Sequence, residues 1–293
     1  MRKLIACLLF AFAAIATARF CHHQTHGFRL SKIQNNLCPS FNAPDPLKKE
    51  CVEKLLNQKF RYFNRGLQSF VFLSEDGTTV LKIFNNRYQR KIFLFDLLSR
   101  FPPLRSWAAQ RKMSQSTKLE NTFKSYEIAS TELAQQTGTL YAHLTPTSHL
   151  PSSLQLLDPL NICHTIDPNV FGFVLQRKAT MAYATLLELI KVQDLSTARE
   201  RLKSLVQFLI VRCQQGIADK DPLIRTNFGF LGETPIAVDL GPFSKDPTLA
   251  LPEVYRPEIL RITQSLKNWL NEKEPKLVPI LEQELQQQLY CSE

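Results

Sequence analysis

The chain has 293 residues, a formal net charge of +10 and an apolar fraction of 44%, which is enough to build a packed core. This length predicts one two-lobed domain or two small ones. The basic residues are spread out without aromatic-basic repeats, so we exclude a nucleic-acid partner. The positive charge suits peripheral contact with an anionic membrane or an acidic substrate, with ordinary solvated faces as the alternative.

The first 18 residues have the pattern of a secretory signal peptide. Arg2 and Lys3 precede an apolar run over residues 4–15, and Ala16-Thr17-Ala18 forms an A-x-A cleavage site. We therefore predict export to a periplasm or to the exterior after cleavage. The alternative is an uncleaved N-terminal membrane anchor, although the apolar run is short for a span of ~20 residues.

Residues 19–60 form a predicted N-terminal extension with a helix over residues 47–60. After cleavage of the signal, six cysteines remain, which permit fifteen full pairings. Buried free thiols are the alternative for two of them, Cys163 and Cys213. The six are Cys21, Cys38, Cys51, Cys163, Cys213 and Cys291.

A β-hairpin is predicted directly after the extension. Gly66-Leu67-Gln68-Ser69 precedes a β-prone run, and an Asp-Gly turn at 76–77 leads into the return strand 79–84. Lys82 interrupts that apolar return strand. A lysine in such a strand is costly unless its ammonium has a partner, for which a nucleotide phosphate and a helix glutamate are suitable.

Residues 85–118 read as a basic, irregular insert with a short helix near 92–98, ended by Pro102-Pro103. A long helix is predicted over 117–136, and it carries three glutamates, Glu120, Glu127 and Glu132. Strands are predicted at 154–158, around 162–166 and at 171–176. The segment 177–179 would be a hinge that leads into the helical part, residues 181–293.

Helices are predicted in that second part over 183–192, 196–215, 252–271 and 275–290. Ser196 is a suitable N-cap for the second helix, and Gly216 ends it. Between residues 216 and 252, a short hairpin over 228–239 turns at Gly232-Glu233.

The segment between Gly216 and Gly241 carries the chemistry. Asp219 and Asp221 are followed by Asn227, and an apolar run then ends in Asp239-Leu240-Gly241. Phosphoryl transfer needs a carboxylate near the attacking hydroxyl, and an amide and a second carboxylate to hold Mg²⁺. The alternative is a polar turn with no chemical role.

In their order along the chain, these motifs resemble the protein-kinase-like superfamily over roughly residues 64–243. The Gly66–Val71 turn resembles a degenerate glycine-rich loop, Val80–Ile83 resembles the strand with the ATP-binding lysine, and Asp239–Gly241 resembles the metal-binding Asp-Phe-Gly. The resemblance implies an α+β, two-lobed fold with a small antiparallel-sheet N-lobe at 61–180 and a reduced helical C-lobe at 181–293.

The chain departs from the family at several positions. The loop has one glycine, no His-Arg-Asp occurs, and no Ala-Pro-Glu follows Asp239–Gly241. Asp221 precedes Asn227 by six residues and Asp219 precedes it by eight, where ordinary kinases have five. The resemblance is therefore to an atypical, bacterial-type, exported member.

The resemblance also implies roles for individual residues. Gly66 and Ser69 would cover the phosphates of ATP, and Lys82 would contact them. Glu132 is the preferred helix partner of Lys82, followed by Glu127, and surface glutamates are the alternative. Asn227 and Asp239 would hold Mg²⁺ or Mn²⁺. Asp221, or else Asp219, would accept the proton of the substrate.

Two functions follow from the resemblance. One is a kinase that transfers phosphate from ATP to an unknown protein or small-molecule acceptor. The other is a catalytically inactive pseudokinase that serves as a binding module. A third interpretation treats the motif matches as accidental in an exported structural protein.

Overall fold

The structure is a computed structural model that describes residues 2–34, 37, 49–241 and 243–290. Cys38, Cys291 and the first residues of the helix predicted at 47–60 lie outside these described residues. Within them, Cys7, Cys21, Cys51, Cys163 and Cys213 are free thiols.

The described residues form α-helices and β-strands in both halves of the chain. The helices are α1 Arg2–Gln24, α2 Lys49–Leu56, α3 Arg87–Leu98, α4 Arg105–Thr131, α5 Ala134–Thr137, α6 Ala182–Lys191, α7 Leu195–Gln214, α8 Ile224–Asn227, α9 Pro252–Lys273 and α10 Leu277–Tyr290. The strands are β1 Lys59–Arg65, β2 Ser69–Ser74, β3 Thr79–Phe84, β4 Thr139–His143, β5 Leu154–Leu157, β6 Cys163–Ile166, β7 Phe173–Arg177, β8 Thr180–Met181, β9 Ile217–Asp219, β10 Phe228–Leu231, β11 Thr234–Ala237 and β12 Phe243–Lys245.

The predicted α+β class is confirmed. The larger sheet has the strand order β4-β7-β3-β2-β1-β5-β6. Two small antiparallel sheets have the strand orders β11-β10-β8 and β12-β9. The chain divides into two compact units, residues 1–116 with 143–175, and residues 117–142 with 176–293. β1 pairs with β5 in parallel register, so the larger sheet is mixed.

The predicted hairpin of the first unit is confirmed. β2 pairs with β3 in antiparallel register, and β1 pairs with β2 in the same way. The Asp76 carboxylate accepts the Ser74 hydroxyl at 2.6 Å and the Thr78 N–H at 2.9 Å, and Gly77 adopts a φ of 72°. The Asp-Gly pair therefore supplies both the acceptor and the left-handed conformation that this turn requires.

The register of this hairpin separates its two faces. Ser69 lies opposite Phe84 and Val71 lies opposite Lys82, so Ser69 and Lys82 point to the same face because side chains alternate along a strand. On the other face, Phe70 and Phe72 are buried and meet the Phe28 ring at centroid distances of 5.2 and 5.5 Å. Part of the N-terminal extension thus covers the face away from Lys82.

The insert over 85–118 is helical, not irregular as predicted. α3 begins at Arg87, and α4 begins at Arg105 instead of 117, because Pro102 and Pro103 occupy a single 3₁₀ turn between the two helices. Residues 105–113 are rich in good helix formers. The sequence prediction missed β4. The last three residues of this strand are all buried, so it lacks the alternation of buried and exposed positions that is typical of a strand.

In the second unit, the predicted helices and hairpin are confirmed. The N-cap of α7 is Asp194, not Ser196 as predicted, since the Asp194 carboxylate accepts the Thr197 N–H at 3.1 Å. Gly216 ends the α7 segment with a φ of 66°. α7 packs against α6, α9 and α10, which buries its apolar stripe.

Close backbone packing at Gly229 yields a stability prediction. A Cβ at this position in β10 would lie 2.6 Å from the Thr180 carbonyl oxygen and 3.0 Å from the Ala179 Cβ. Because the first of these neighbours is backbone, Gly229→Ala is expected to lower the free energy of unfolding by ~1–3 kcal/mol. Urea unfolding measures this. Gly66→Ala is the matched control, since its Cβ meets nothing nearer than 3.5 Å; equal stability of the two variants would contradict the prediction.

At the N-terminus, α1 runs without a break through the predicted cleavage site after Ala18. No helix in the described part of the chain has the length and apolar character needed to cross a membrane. The signal peptide and the lobe boundaries at 61 and 180 stay predictions.

Candidate functional site

Two antiparallel pairings hold the segment from Gly216 to Lys245 in the second unit. β9 pairs with β12, with Asp219 opposite Phe243. β10 pairs with β11, with Phe228 opposite Ala237. The segments that flank these strands carry Asp221, Asn227 and Asp239, the candidate residues of this unit, and Asn227 is the last residue of α8.

Asn227 and Asp239 lie at the open end of the β10–β11 hairpin. The Val238 N–H donates to the Asn227 carbonyl at 2.8 Å, which extends the hairpin register by one pair. Asp239 is the next residue, and it is exposed, whereas Asn227 is buried. The hairpin therefore brings together two residues that are twelve positions apart, and both are the predicted metal ligands.

Asp221 lies on the loop between β9 and α8 and is exposed. Both backbone polar groups of Asp221 are hydrogen-bonded. Its N–H donates to Asp219 Oδ1 at 2.9 Å, and its carbonyl accepts a hydrogen bond from Asn227 Nδ2 at 2.6 Å. The second bond orients the Asn227 amide so that its nitrogen faces the loop, and it leaves the amide oxygen without a hydrogen-bond partner among the described residues.

Asp219 has a different environment from Asp221. Its Oδ2 lies 3.0 Å from Arg212 Nη1, and the two side chains are only 2% and 1% exposed. Burial raises the pKa of the Asp219 carboxyl; the Arg212 charge and the Asp221 N–H oppose that rise, while the charges of Asp239 and Asp221 add to it. Asp219 is thus a buried anchor of the loop, and Asp221 presents the accessible carboxylate.

The Asp239–Gly241 segment is held by a serine that the sequence analysis missed. Ser125, fully buried in α4, donates to the Leu240 carbonyl at 2.6 Å and accepts the Phe243 N–H at 2.7 Å. Asp239 Oδ1 accepts the Gly241 N–H at 3.1 Å. Nothing in the sequence connects position 125 with position 240, since only the fold brings them together.

Arg212 was also missed, although the sequence contains a signal for it. Arg212 continues the apolar stripe of α7 at helical spacing from Leu205 and Leu209, all three of which are buried. A cation in a buried stripe requires an anionic partner, and Asp219 lies seven residues further on. The buried arginine could therefore have indicated an acidic partner nearby in the fold, without distinguishing Asp219 from Asp221.

The donor set at the hairpin end suits a hard cation. Carboxylate and amide oxygens are ligands that Mg²⁺ accepts, and Mg²⁺ commonly takes only one or two protein carboxylates beside phosphate oxygens and water. Within the described ranges, no group of three His, Cys, Asp or Glu side chains is placed to hold a metal by itself. A cation at Asn227 and Asp239 would therefore depend on oxygens from a ligand.

In the first unit, residues 66–69 form a tight turn between β1 and β2. The Gly66 N–H donates to the Ser69 carbonyl at 2.9 Å, and the Asn85 N–H donates to the Gln68 carbonyl at 2.8 Å. An alanine Cβ would fit at Gly66, so the turn itself does not require glycine there. Ser69 is buried, and Lys82 on the same face of the sheet is half-buried.

Two of the three candidate helix glutamates make ion pairs on the surface. Glu132 lies 2.9 Å from Lys245 Nζ, and Glu120 lies 2.7 Å from Lys124 Nζ. Both pairs are largely exposed, so each contributes little to stability. The pairing of Lys82 with Glu132 or Glu127 stays a prediction.

Comparison with known proteins finds likenesses among solved structures. No family model and no curated protein matches the chain. A solved structure described as the medium resolution structure of the bifunctional kinase-methyltransferase WbdD is similar, with a TM-score of 0.32 and 14% sequence identity. The likeness covers 74% of this chain but only 42% of that protein. A TM-score this low does not establish a shared fold.

Proposed function

We propose that the chain binds ATP with Mg²⁺ or Mn²⁺ and transfers phosphate to a protein or small-molecule acceptor. The observation that carries this proposal is the hairpin end, where Asn227 and Asp239 lie together and the Asn227 amide is bonded to the loop of Asp221. An accessible carboxylate, an oriented amide and a second exposed carboxylate are the groups that phosphoryl transfer requires.

Each residue has a defined role in the proposal. Asn227 and Asp239 hold the cation, which when bound would neutralise charge on the phosphate oxygens. Asp221 accepts the proton of the acceptor hydroxyl while the hydroxyl oxygen forms a bond to the γ-phosphorus. The bond from that phosphorus to the bridging oxygen breaks, and ADP leaves. Asp219 positions Asp221 through the bond to its N–H. Exposed Lys220 and Arg225 are available to offset phosphate charge.

In the first unit, Lys82 would contact the phosphates of the nucleotide, and the Gly66–Ser69 turn would cover them. The proposal draws on the shared face of Ser69 and Lys82 and on the half-buried lysine within an otherwise buried strand. A bound phosphate would give the ammonium group of Lys82 an anionic contact.

A thermal-shift titration of the full chain with ATP, with and without Mg²⁺ or Mn²⁺, tests the proposal. Binding raises the unfolding free energy by RT ln(1 + [L]/Kd), ~2.7 kcal/mol at a hundredfold excess over Kd. Lys82→Ala is expected to reduce this shift by at least half, with little change in the unfolding temperature of the nucleotide-free protein. No shift with any nucleotide or metal would refute the proposal.

The pseudokinase alternative is favoured by the missing His-Arg-Asp and by the six-residue spacing between Asp221 and Asn227. The two functions differ in turnover, not in binding. The chain would be a pseudokinase if it gives a metal-dependent thermal shift but releases no ADP and forms no labelled product from γ-labelled ATP.

Export belongs to the same proposal. A secreted or periplasmic kinase needs an ATP supply, which an ATP-supplied lumen or another cell that receives the protein would provide. N-terminal sequencing of the protein recovered from its native cells tests this point, with Arg19 expected as the first residue. Recovery of an intact N-terminus would favour the anchored form.

A further inference from the structure

A second surface of the chain, in the first unit, has a character that phosphoryl transfer does not explain. α3 contains no buried residue along its 12 positions. Phe93, Leu94 and Leu97 lie three, four and seven positions after Arg90, so the four side chains share one face of the helix. Phe93 is 71% exposed, and both leucines are more than 40% exposed. This face has no protein partner among the described residues.

The exposed apolar surface continues beyond α3. Phe101 and Leu104 in the following turn and Trp107 at the start of α4 are exposed, and the Trp107 ring contacts Phe95 of α3 at a centroid distance of 5.5 Å. We call these six residues the apolar patch: Phe93, Leu94, Leu97, Phe101, Leu104 and Trp107. Contiguous exposed apolar surface of this kind marks an interaction site.

The charge around the apolar patch is strongly one-sided. Residues 85–116 hold seven Lys and Arg and one carboxylate, Asp96, so their net charge is 7 − 1 = +6. Asp96 is neutralised by Lys112 of α4 at 2.5 Å. A surface that combines exposed aromatic and aliphatic groups with unbalanced positive charge is complementary to anionic lipid.

The N-terminal end of the same face opens into a cationic groove of ≈ 640 Å³, lined by Lys32, Arg65, Arg87 and Arg90. No carboxylate lines this groove within the part of the chain that the structure describes. Burial lowers the pKa of the Lys32 ammonium, and the charges of Arg65, Arg29 and Arg90 lower it further. The cations thus repel one another, and a phosphorylated ligand would relieve that repulsion.

We propose that the α3 face and the apolar patch dock on an anionic phospholipid bilayer, with a lipid phosphate entering the groove of Lys32, Arg65, Arg87 and Arg90. The apolar side chains enter the boundary between headgroups and acyl chains. Soluble nucleic acid or an acidic peptide would use the cations but leave Phe93 and Leu97 in water. The groove shares Gly66 and Leu67 with the turn of the phosphoryl-transfer proposal, but its lining includes Phe70, which lies on the face of the sheet away from Lys82.

The two tryptophans allow a direct test on the full chain. Trp107 lies in the patch, and Trp269 lies in the second unit. Trp269→Phe leaves Trp107 as the only tryptophan reporter, and Trp107→Phe leaves Trp269. Phosphatidylglycerol–phosphatidylcholine vesicles should shift the emission of the first variant to shorter wavelength and protect it from iodide. The second variant should show neither effect, even where the apolar helix α1 also touches the vesicles.

Paired substitutions then separate the two contributions to docking. Arg87→Gln with Arg90→Gln is expected to weaken partitioning to anionic vesicles ~10- to 30-fold, at ~1 kcal/mol per cation. Phe93→Ser with Leu97→Ser should weaken it by at least ~10-fold. Matched controls are Lys273→Gln with Lys276→Gln and Val192→Ser with Leu260→Ser, all exposed positions in the second unit that should leave partitioning unchanged.

Each part of the docking proposal can be contradicted by a separate result. Equal emission shifts with neutral phosphatidylcholine vesicles, or unchanged partitioning of the Arg87/Arg90 variant, would overturn the role of the groove. A patch that stays iodide-accessible on anionic vesicles would overturn membrane docking. Sedimentation that finds a dimer, dissociated by Phe93→Ser with Leu97→Ser, would assign the patch to a second copy of the chain. If inorganic phosphate stabilises the protein but does not release it from the vesicles, the groove is an anion site that takes no part in docking.

Discussion

Asp239→Asn is expected to abolish the metal-dependent part of ATP binding and to lower phosphate transfer by at least ~100-fold, because it removes the exposed carboxylate at the hairpin end. The substitution keeps the shape of the side chain. Asparagine retains an oxygen that can accept the Gly241 N–H, a bond of 3.1 Å in the structure. Loss of folding stability should therefore stay within ~0.5 kcal/mol, as for other surface substitutions.

Asp246→Asn is the matched control. Asp246 is half-buried, lies in the same unit and accepts the N–H of the residue two positions on, from Thr248 at 3.1 Å. The two variants lose the same charge, and only Asp239→Asn should lose the extra thermal shift that Mg²⁺ gives to ATP. A full metal-dependent shift in Asp239→Asn would show that Asp239 is not the ligand.

Arg212→Met is expected to have the largest effect on stability, lowering the free energy of unfolding by ~3–5 kcal/mol. Arg212 and Asp219 form a pair whose side chains are 1% and 2% exposed. Without the guanidinium, the Asp219 carboxylate stays buried without its charge partner. Urea unfolding of both proteins at pH 8 measures the difference.

The loss in Arg212→Met should shrink as the pH falls. Burial already raises the pKa of Asp219, and Arg212 is the main influence that lowers it, so its removal raises the pKa further. A carboxyl with a raised pKa binds its proton more tightly in the folded state, so stability falls as pH rises from its ordinary pKa of ~3.9 through the raised value. The variant should therefore lose less relative to the parent near pH 4.5 than at pH 8.

The double variant Arg212→Met with Asp219→Asn provides the control. It removes the unpaired charge, so it should recover part of the stability and lose the pH dependence of the difference. A constant difference between parent and Arg212→Met from pH 4.5 to 8 would mean that Asp219 does not titrate in this range. If the double variant still binds ATP, the role of Asp219 in positioning Asp221 can be measured separately from its role in folding.

Local rules were sufficient for several elements. The Asp-Gly turn and its flanking β-prone residues predicted β2 and β3, and the apolar stripe of α7 with Gly216 at its end predicted that helix. These features depend on contacts within a few residues, where turn chemistry and periodicity decide the structure. The order of Asp221, Asn227 and Asp239 along the chain was likewise sufficient to suggest phosphoryl-transfer chemistry.

The errors in the sequence prediction have different physical causes. α3 and α4 are longer than their apolar pattern indicated, because helix formers on an exposed insert need no buried stripe. Asp194 rather than Ser196 caps α7. Both side chains are possible acceptors near the first turn, and the Thr197 N–H donates to Asp194. β4 shows no alternation because consecutive positions are buried.

The sequence by itself determined the hairpins and the main helices, because these follow from local propensity and periodicity. The α+β class and the roles of the candidate site residues were implied by the resemblance. Tertiary structure decided which of those residues are accessible. It buried Asp219 against Arg212 and left Asp221 exposed, and it brought Ser125 to the backbone of Leu240. Burial and long-range pairing depend on the whole core, and for this reason no spacing along the chain could distinguish the two aspartates.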